Sequence, residues 1–229
     1  MYYAIFLDPG NGRRRAEWLA KGLLVNRILQ SIAVFLADIL ILLLASASAP
    51  AQESPIAMPG GANWDIGIWA AGATGEENTN SFAEAQILTA GFSLGHSITG
   101  ERGRGWRRGG LEYLFDVSPL FRTYGNQKIH GTAFDPLILR WNSSLHRGRM
   151  APFIELGGGA VATPVNLPPG NTSSFNFMAR GGGGVHLFTR KRQSLDFGLG
   201  WWHISNANLG KRNPEFNGLQ LVVGYHWFK

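Results

Sequence analysis

An imidazole and a hydroxyl stand two residues apart in the stretch His203-Ile204-Ser205-Asn206-Ala207-Asn208-Leu209, at the end of an apolar run and shortly before Asn213-Pro214. In a strand, residues i and i+2 leave the same face with Cα atoms roughly 6.5–7 Å apart. At that spacing a base can take the proton of a nucleophile, and a neighbouring amide such as Asn206 can donate to an oxyanion. The chemistry so encoded is acyl transfer to and from a serine. A His-x-Ser pair is common in ordinary strands, so its weight depends on the elements that carry it.

Those elements follow a leader. Residues 1–27 hold Arg13, Arg14, Arg15, Lys21 and Arg27, residues 28–46 are almost wholly apolar, and Ala45-Ser46-Ala47-Ser48-Ala49-Pro50-Ala51 supplies small residues. A basic start, an apolar centre and a small-residue exit read as a secretory signal, with Ala51–Gln52 as the expected cut. A retained membrane anchor is the alternative, since about 19 apolar residues can span a bilayer. Residues 1–51 are thus expected to be a signal peptide and 52–229 a single domain. The leader takes five of the 21 Lys and Arg and three of the 15 Asp and Glu, which leaves the domain near +4 and does not by itself suggest nucleic acid as a partner. The chain has no cysteine, so disulfides and thiolate metal sites are excluded. An exported chain of this kind needs another source of stability, such as a closed sheet.

After Gln52 no long helical period appears. Eight strand-length alternating segments do, roughly 63–73, 82–98, 110–123, 129–142, 148–162, 173–189, 193–205 and 215–228. Glycines 157–159 and 181–184 fall inside them, where bends or close backbone approach are expected and the strand-to-helix setting of a phosphate loop is missing. In the third segment Leu111, Tyr113, Phe115, Val117 and Phe121 share one face, against Glu112, Asp116, Ser118 and Arg122. Later segments set Phe175, Phe177, Val185 and Leu187 against Asn176, Arg180 and His186, and Leu195, Phe197, Leu199 and Trp201 against Asp196, Gly198 and Gly200.

Two architectures carry such a pattern. A soluble, lipocalin-like barrel, as in a periplasmic lipid carrier, turns the apolar face inward around a ligand. An outer-membrane barrel turns it toward lipid and fills its interior with polar side chains. Glu112, Asp116, Arg140, Glu155, Arg180 and Asp196 are mixed in sign and can neutralise one another in a tightly filled interior. Tyr225, Trp227 and Phe228 read as an interfacial aromatic girdle. The expected fold is therefore all-β: an eight-stranded antiparallel transmembrane β-barrel of the outer membrane.

An even strand number puts both ends of the barrel in the periplasm and the 206–214 loop outside. His203 and Ser205 then lie at outer-leaflet depth and, continuing the row Leu195, Phe197, Leu199, Trp201, face lipid. Glu215 and Asn217 share the row of Leu219, Leu221 and Val223, and a simple hairpin register sets His203 opposite Asn217 and Ser205 opposite Glu215. Four polar groups on an apolar wall are costly unless they pair or meet head groups. Such a wall suits an enzyme whose substrate arrives sideways from the membrane. Arg102, Arg104, Arg107, Arg108 and Arg190-Lys191-Arg192 read as solvated periplasmic turns, whereas Lys128, Lys211 and Arg212 lie on the side of outer-leaflet phosphates. His96, His130, His146, His186 and His226 lack ligand spacing, so neither a metal nor a cofactor is expected.

Most of the region after the leader resembles the PagL-like lipid A deacylases, outer-membrane barrels also described as acyloxyacyl hydrolases. The resemblance is carried by His203 through Leu209, Asn213-Pro214, and Asn217-Gly218-Leu219-Gln220 through Tyr225-His226-Trp227-Phe228, with Leu111-Glu112-Tyr113 and Glu155-Leu156-Gly157-Gly158-Gly159 in support. It implies hydrolysis of the ester-linked 3-hydroxyacyl chain at position 3 of lipid A, with His203 as general base, Ser205 as nucleophile and Asn206 contributing to the oxyanion hole. Lipid A of the outer leaflet is the implied partner, and a homodimer is compatible with it. One position departs from the family pattern, which places a glutamate fourteen residues after the histidine; here Asn217 stands there, with Glu215 two residues earlier. Either Asn217 orients the ring as a neutral amide, or Glu215 reaches it from the next pleat. The alternative to an enzyme is a non-catalytic small barrel with a structural or anchoring role.

Overall fold

The structure is a computed structural model that describes residues 62–75, 86–124, 128–145 and 149–229; the expected leader and the start of the second expected strand lie outside the described residues. Eight strands follow in order: β1 (Trp64–Gly75), β2 (Gln86–Ser97), β3 (Gly109–Tyr124), β4 (His130–Ser143), β5 (Met150–Leu167), β6 (Ser173–Arg190), β7 (Gln193–Ser205) and β8 (Phe216–Phe228). Each pairs antiparallel with its neighbours and β1 closes on β8, so no sheet edge is left open. The Asn63 N–H donates to the Lys229 carbonyl at 2.7 Å, placing the barrel's first and last residues at one end. The β2–β3, β4–β5 and β6–β7 connections share that end. The β7–β8 connection lies at the other, beside the β5–β6 turn.

Period-two alternation sets the two faces of the wall. Outward rows expose Ile66 and Ile68 of β1, Phe92 and Leu94 of β2, Ile154 and Leu156 of β5, and Leu199 and Trp201 of β7. Inward rows bury Asp65, Glu112, Asp116, Asp135, Arg140, Arg180, His186, Asp196 and His226. This reverses the soluble-barrel distribution and is the arrangement of a cylinder immersed in hydrocarbon.

The interior is layered. At its middle Arg140 donates to Glu155 at 2.8 and 2.9 Å, Arg180 to Asp116 at 2.6 Å, His226 sits 2.8 Å from Asp65, and His186 lies 2.8 Å from Asp196. At the end that carries the β7–β8 loop an apolar plug closes the cylinder, with Phe121, Ile129, Val161, Trp202, Ile204 and Phe216 in one cluster. At the opposite end Phe188 and Phe228 pack with Ala151. The expectation of an ionic interior holds for the middle layer; the plug above it was not foreseen.

Three residues sit on the other face from the one expected. Phe121 is fully buried inside the barrel and Arg122 is exposed outside, because the ladders of β3 shift between Ala90 and Phe92 on one side and between Ser118 and Phe121 on the other. Pro119 lies in that gap and has no N–H to offer the ladder, so the strand inserts a residue and its parity inverts. Phe228, read as part of an outer girdle with Tyr225 and Trp227, points inward and is buried. Simple alternation from Leu219 through Trp227 requires it.

Candidate active site

The β7–β8 hairpin carries the site. Along β7, Trp202 and Ile204 point into the apolar plug and are buried, so the alternating residues Trp201, His203 and Ser205 stand on the outer wall. The plug locks this stretch: the Trp202 ring meets Phe216 at 6.1 Å and Phe121 at 6.3 Å, both edge to face. His203 pairs with Asn217 across the hairpin, as a register without a bulge requires, and the ladder continues through Ile204 and Phe216.

On that wall three side chains form a chain of hydrogen bonds. His203 Nε2 lies 3.0 Å from Ser205 Oγ, and His203 Nδ1 lies 2.8 Å from Asn217 Oδ1. Asn217 Nδ2 in turn donates to Glu215 Oε2 over a longer 3.5 Å. All four residues are half-buried. The Trp201 ring stacks on the imidazole, 5.7 Å between centroids and 17° between planes, and supports its face. With an acceptor fixed at Nδ1, the hydrogen of a neutral ring belongs there, and Nε2 is left free to accept the serine proton. A hydroxyl next to such a nitrogen can act as a nucleophile.

The structure brings Ser205, His203 and Asn217 together, sets Glu215 behind Asn217, and does not aim the side chain of Asn206 at them. Asn206 is fully buried on the inner face; its Nδ2 donates to the Arg212 carbonyl and its backbone N–H to Asn213 Oδ1, each at 2.8 Å. Its carbonyl accepts the Leu209 N–H at 2.9 Å, and Ala207 and Asn208 between them have φ of 49° and 64°. Positive φ at both central residues is the signature of a type I′ turn. Asn206 thus builds the loop beside Ser205. Asn213 is the second clamp of this loop. The neighbouring turn adds a third hold, since Arg212 N–H donates to the Asn171 carbonyl at 2.8 Å. Lys211 and Arg212 are exposed at the same end of the barrel.

Residues 88–226 match the family model described as lipid A 3-O-deacylase (PagL), a span that runs from β2 to β8 and includes the whole hydrogen-bonded chain. Among solved structures, that of the outer membrane enzyme PagL aligns at 22% identity with a TM-score of 0.48, covering 69% of this chain and 97% of that one. Neisserial surface protein A aligns at 13% identity and 0.48, covering 72% and 96%, and the N-terminal β-barrel domain of Pseudomonas aeruginosa OprF at 16% and 0.40, covering 71% and 97%. No curated protein matches the sequence. The match takes in more than half of the chain and every residue of the site: the chain belongs to the lipid A 3-O-deacylase (PagL) family.

Proposed function

We propose that the protein is an outer-membrane serine esterase that removes the 3-hydroxyacyl chain esterified at position 3 of lipid A. The observation that carries this reading is the linked set Ser205–His203–Asn217 on the outward, apolar face of the wall. An amphiphilic ester lying in the outer leaflet meets that face directly, with its head groups near Lys211 and Arg212 and its chains along Leu199 and Trp201. Family membership supports lipid A as the substrate, and the reversed distribution of apolar and polar side chains supports the membrane as its location.

In the reaction, Ser205 Oγ attacks the ester carbonyl while His203 Nε2 takes its proton. The carbonyl oxygen becomes an oxyanion, to which backbone N–H groups of the Ala207-Asn208 turn beside Ser205 would donate. Collapse expels the sugar alcohol, which recovers the proton from the imidazolium, and leaves the acyl group on Ser205. Water, activated by the same imidazole, then releases the 3-hydroxy fatty acid and restores the serine. Asn217 keeps the hydrogen on Nδ1 throughout, as the amide does in Cys-His-Asn proteases. All these groups come from one hairpin, so a monomer suffices.

The test is mass spectrometry of lipid A from cells expressing the wild type or Ser205→Ala. The reading expects loss of one hydroxyacyl unit with the wild type alone. Identical spectra would instead favour a non-catalytic barrel.

A further inference from the structure

We propose that Glu215 is a positioning residue that selects the proton position on His203 by pinning the Asn217 amide. The inference rests on the reading of Ser205 and His203 given above and extends it to a residue that touches neither.

An amide, unlike a carboxylate, has two different ends. With Oδ1 toward the ring, as here at 2.8 Å, the imidazole hydrogen sits on Nδ1 and Nε2 offers its lone pair to the Ser205 hydroxyl. With the amide turned by half a revolution, Nδ2 would donate to Nδ1 and the hydrogen would move to Nε2. Ser205 would then face a donor that cannot take its proton. Nothing in the amide itself chooses between these states. Glu215 does: its side chain leaves the same face two residues earlier, and its Oε2 lies 3.5 Å from Asn217 Nδ2. An ionised carboxylate only accepts hydrogen bonds. Turning the amide would set Oδ1 against it, acceptor to acceptor, so the orientation with Oδ1 on the ring is held. The same carboxylate places a negative charge two hydrogen bonds behind the imidazolium that forms as Ser205 attacks, with the Asn217 amide between them, which favours the charged ring.

The experiment uses the protein in detergent micelles and has two readouts. Imidazole ¹⁵N spectra of His203, taken at a pH where the ring is neutral, are expected to show hydrogen on Nδ1 in the wild type. Glu215→Ala is expected to give a mixture or hydrogen on Nε2, and Glu215→Gln, which keeps the volume but can present either end of its own amide, an intermediate mixture. An unchanged tautomer in both variants overturns the proposal. The second readout is turnover of lipid A. Glu215→Ala is expected to lower kcat on the order of tenfold with KM within about twofold, and that loss is expected to shrink to about twofold in the Asn217→Glu background, where either carboxylate oxygen serves the ring. Equal losses in both backgrounds overturn the proposal and assign Glu215 a purely structural part. Should wild type and Ser205→Ala prove equally inert toward lipid A, the esterase reading fails, and the spectra still decide the role of Glu215.

Discussion

At the scale of single residues, the proposed chemistry depends on an amide where a carboxylate would hold the imidazolium more strongly. Asn217 accepts from His203 Nδ1 at 2.8 Å and so fixes the tautomer, but it brings no charge to offset the one the ring acquires. Asn217→Glu is therefore expected to raise kcat by about tenfold, as a direct charge-assisted hydrogen bond replaces a neutral one. Deacylation rates in lipid A micelles measure this, and a rate that does not rise speaks against charge stabilisation at this position. Much of the site was legible in the sequence. His203, Ser205 and Asn217 were expected on one wall, two of them two residues apart and the third opposite the histidine, because strand parity and a register without a bulge are local rules. The partners of Asn206 were not legible. Arg212 and Asn213 belong to a loop whose path depends on positive φ at Ala207 and Asn208, and on the adjacent turn at Asn171.

At the scale of elements, most of the register slips in the barrel wall lie beside prolines. The β3 register slips around Pro119, and the β4–β5 ladder slips between Phe134 and Leu137, on either side of Pro136. Across from the second slip, β5 approaches so closely that a Cβ on Gly159 would lie 1.9 Å from the Phe134 carbonyl oxygen. That obstacle is backbone and cannot rotate away. Gly159→Ala is accordingly expected to destabilise the barrel by at least about 2 kcal/mol, seen as a lower urea midpoint and less of the compact, heat-modifiable form on a gel. A wild-type midpoint would mean that the seam can open without cost. The slip at Pro119 accounts for two of the three misplaced residues: reading Phe121 outward and Arg122 inward extended an unbroken alternation through that proline. The proline itself was the available signal, since a residue that cannot donate to the ladder marks a bulge or an edge.

At the scale of the whole molecule, an apolar wall encloses an ionic middle layer, and the site's exposure to hydrocarbon follows from that inversion. Leu199 lies near the centre of β7 on the outward row and is half exposed in the protein alone. Leu199→Arg is expected to cost about 2–4 kcal/mol in a bilayer, the range for a cation placed at mid-depth on a lipid face. Equilibrium unfolding in phospholipid vesicles measures it, and a cost near zero would place this row in water. What the sequence by itself determined is the identity of each wall: hydrophobic alternation with period two is written into neighbouring residues, so strand number, the outward apolar rows and the placement of His203 and Ser205 beside lipid could all be read from it. Only the tertiary structure decided which charges meet inside. Asp116 and Arg180 are 64 residues apart and Asp65 and His226 are 161 apart, yet each pair lies within 3 Å. No local pattern encodes such partners, because they are chosen by closure of the sheet and by the bulges that rotate side chains from one face to the other.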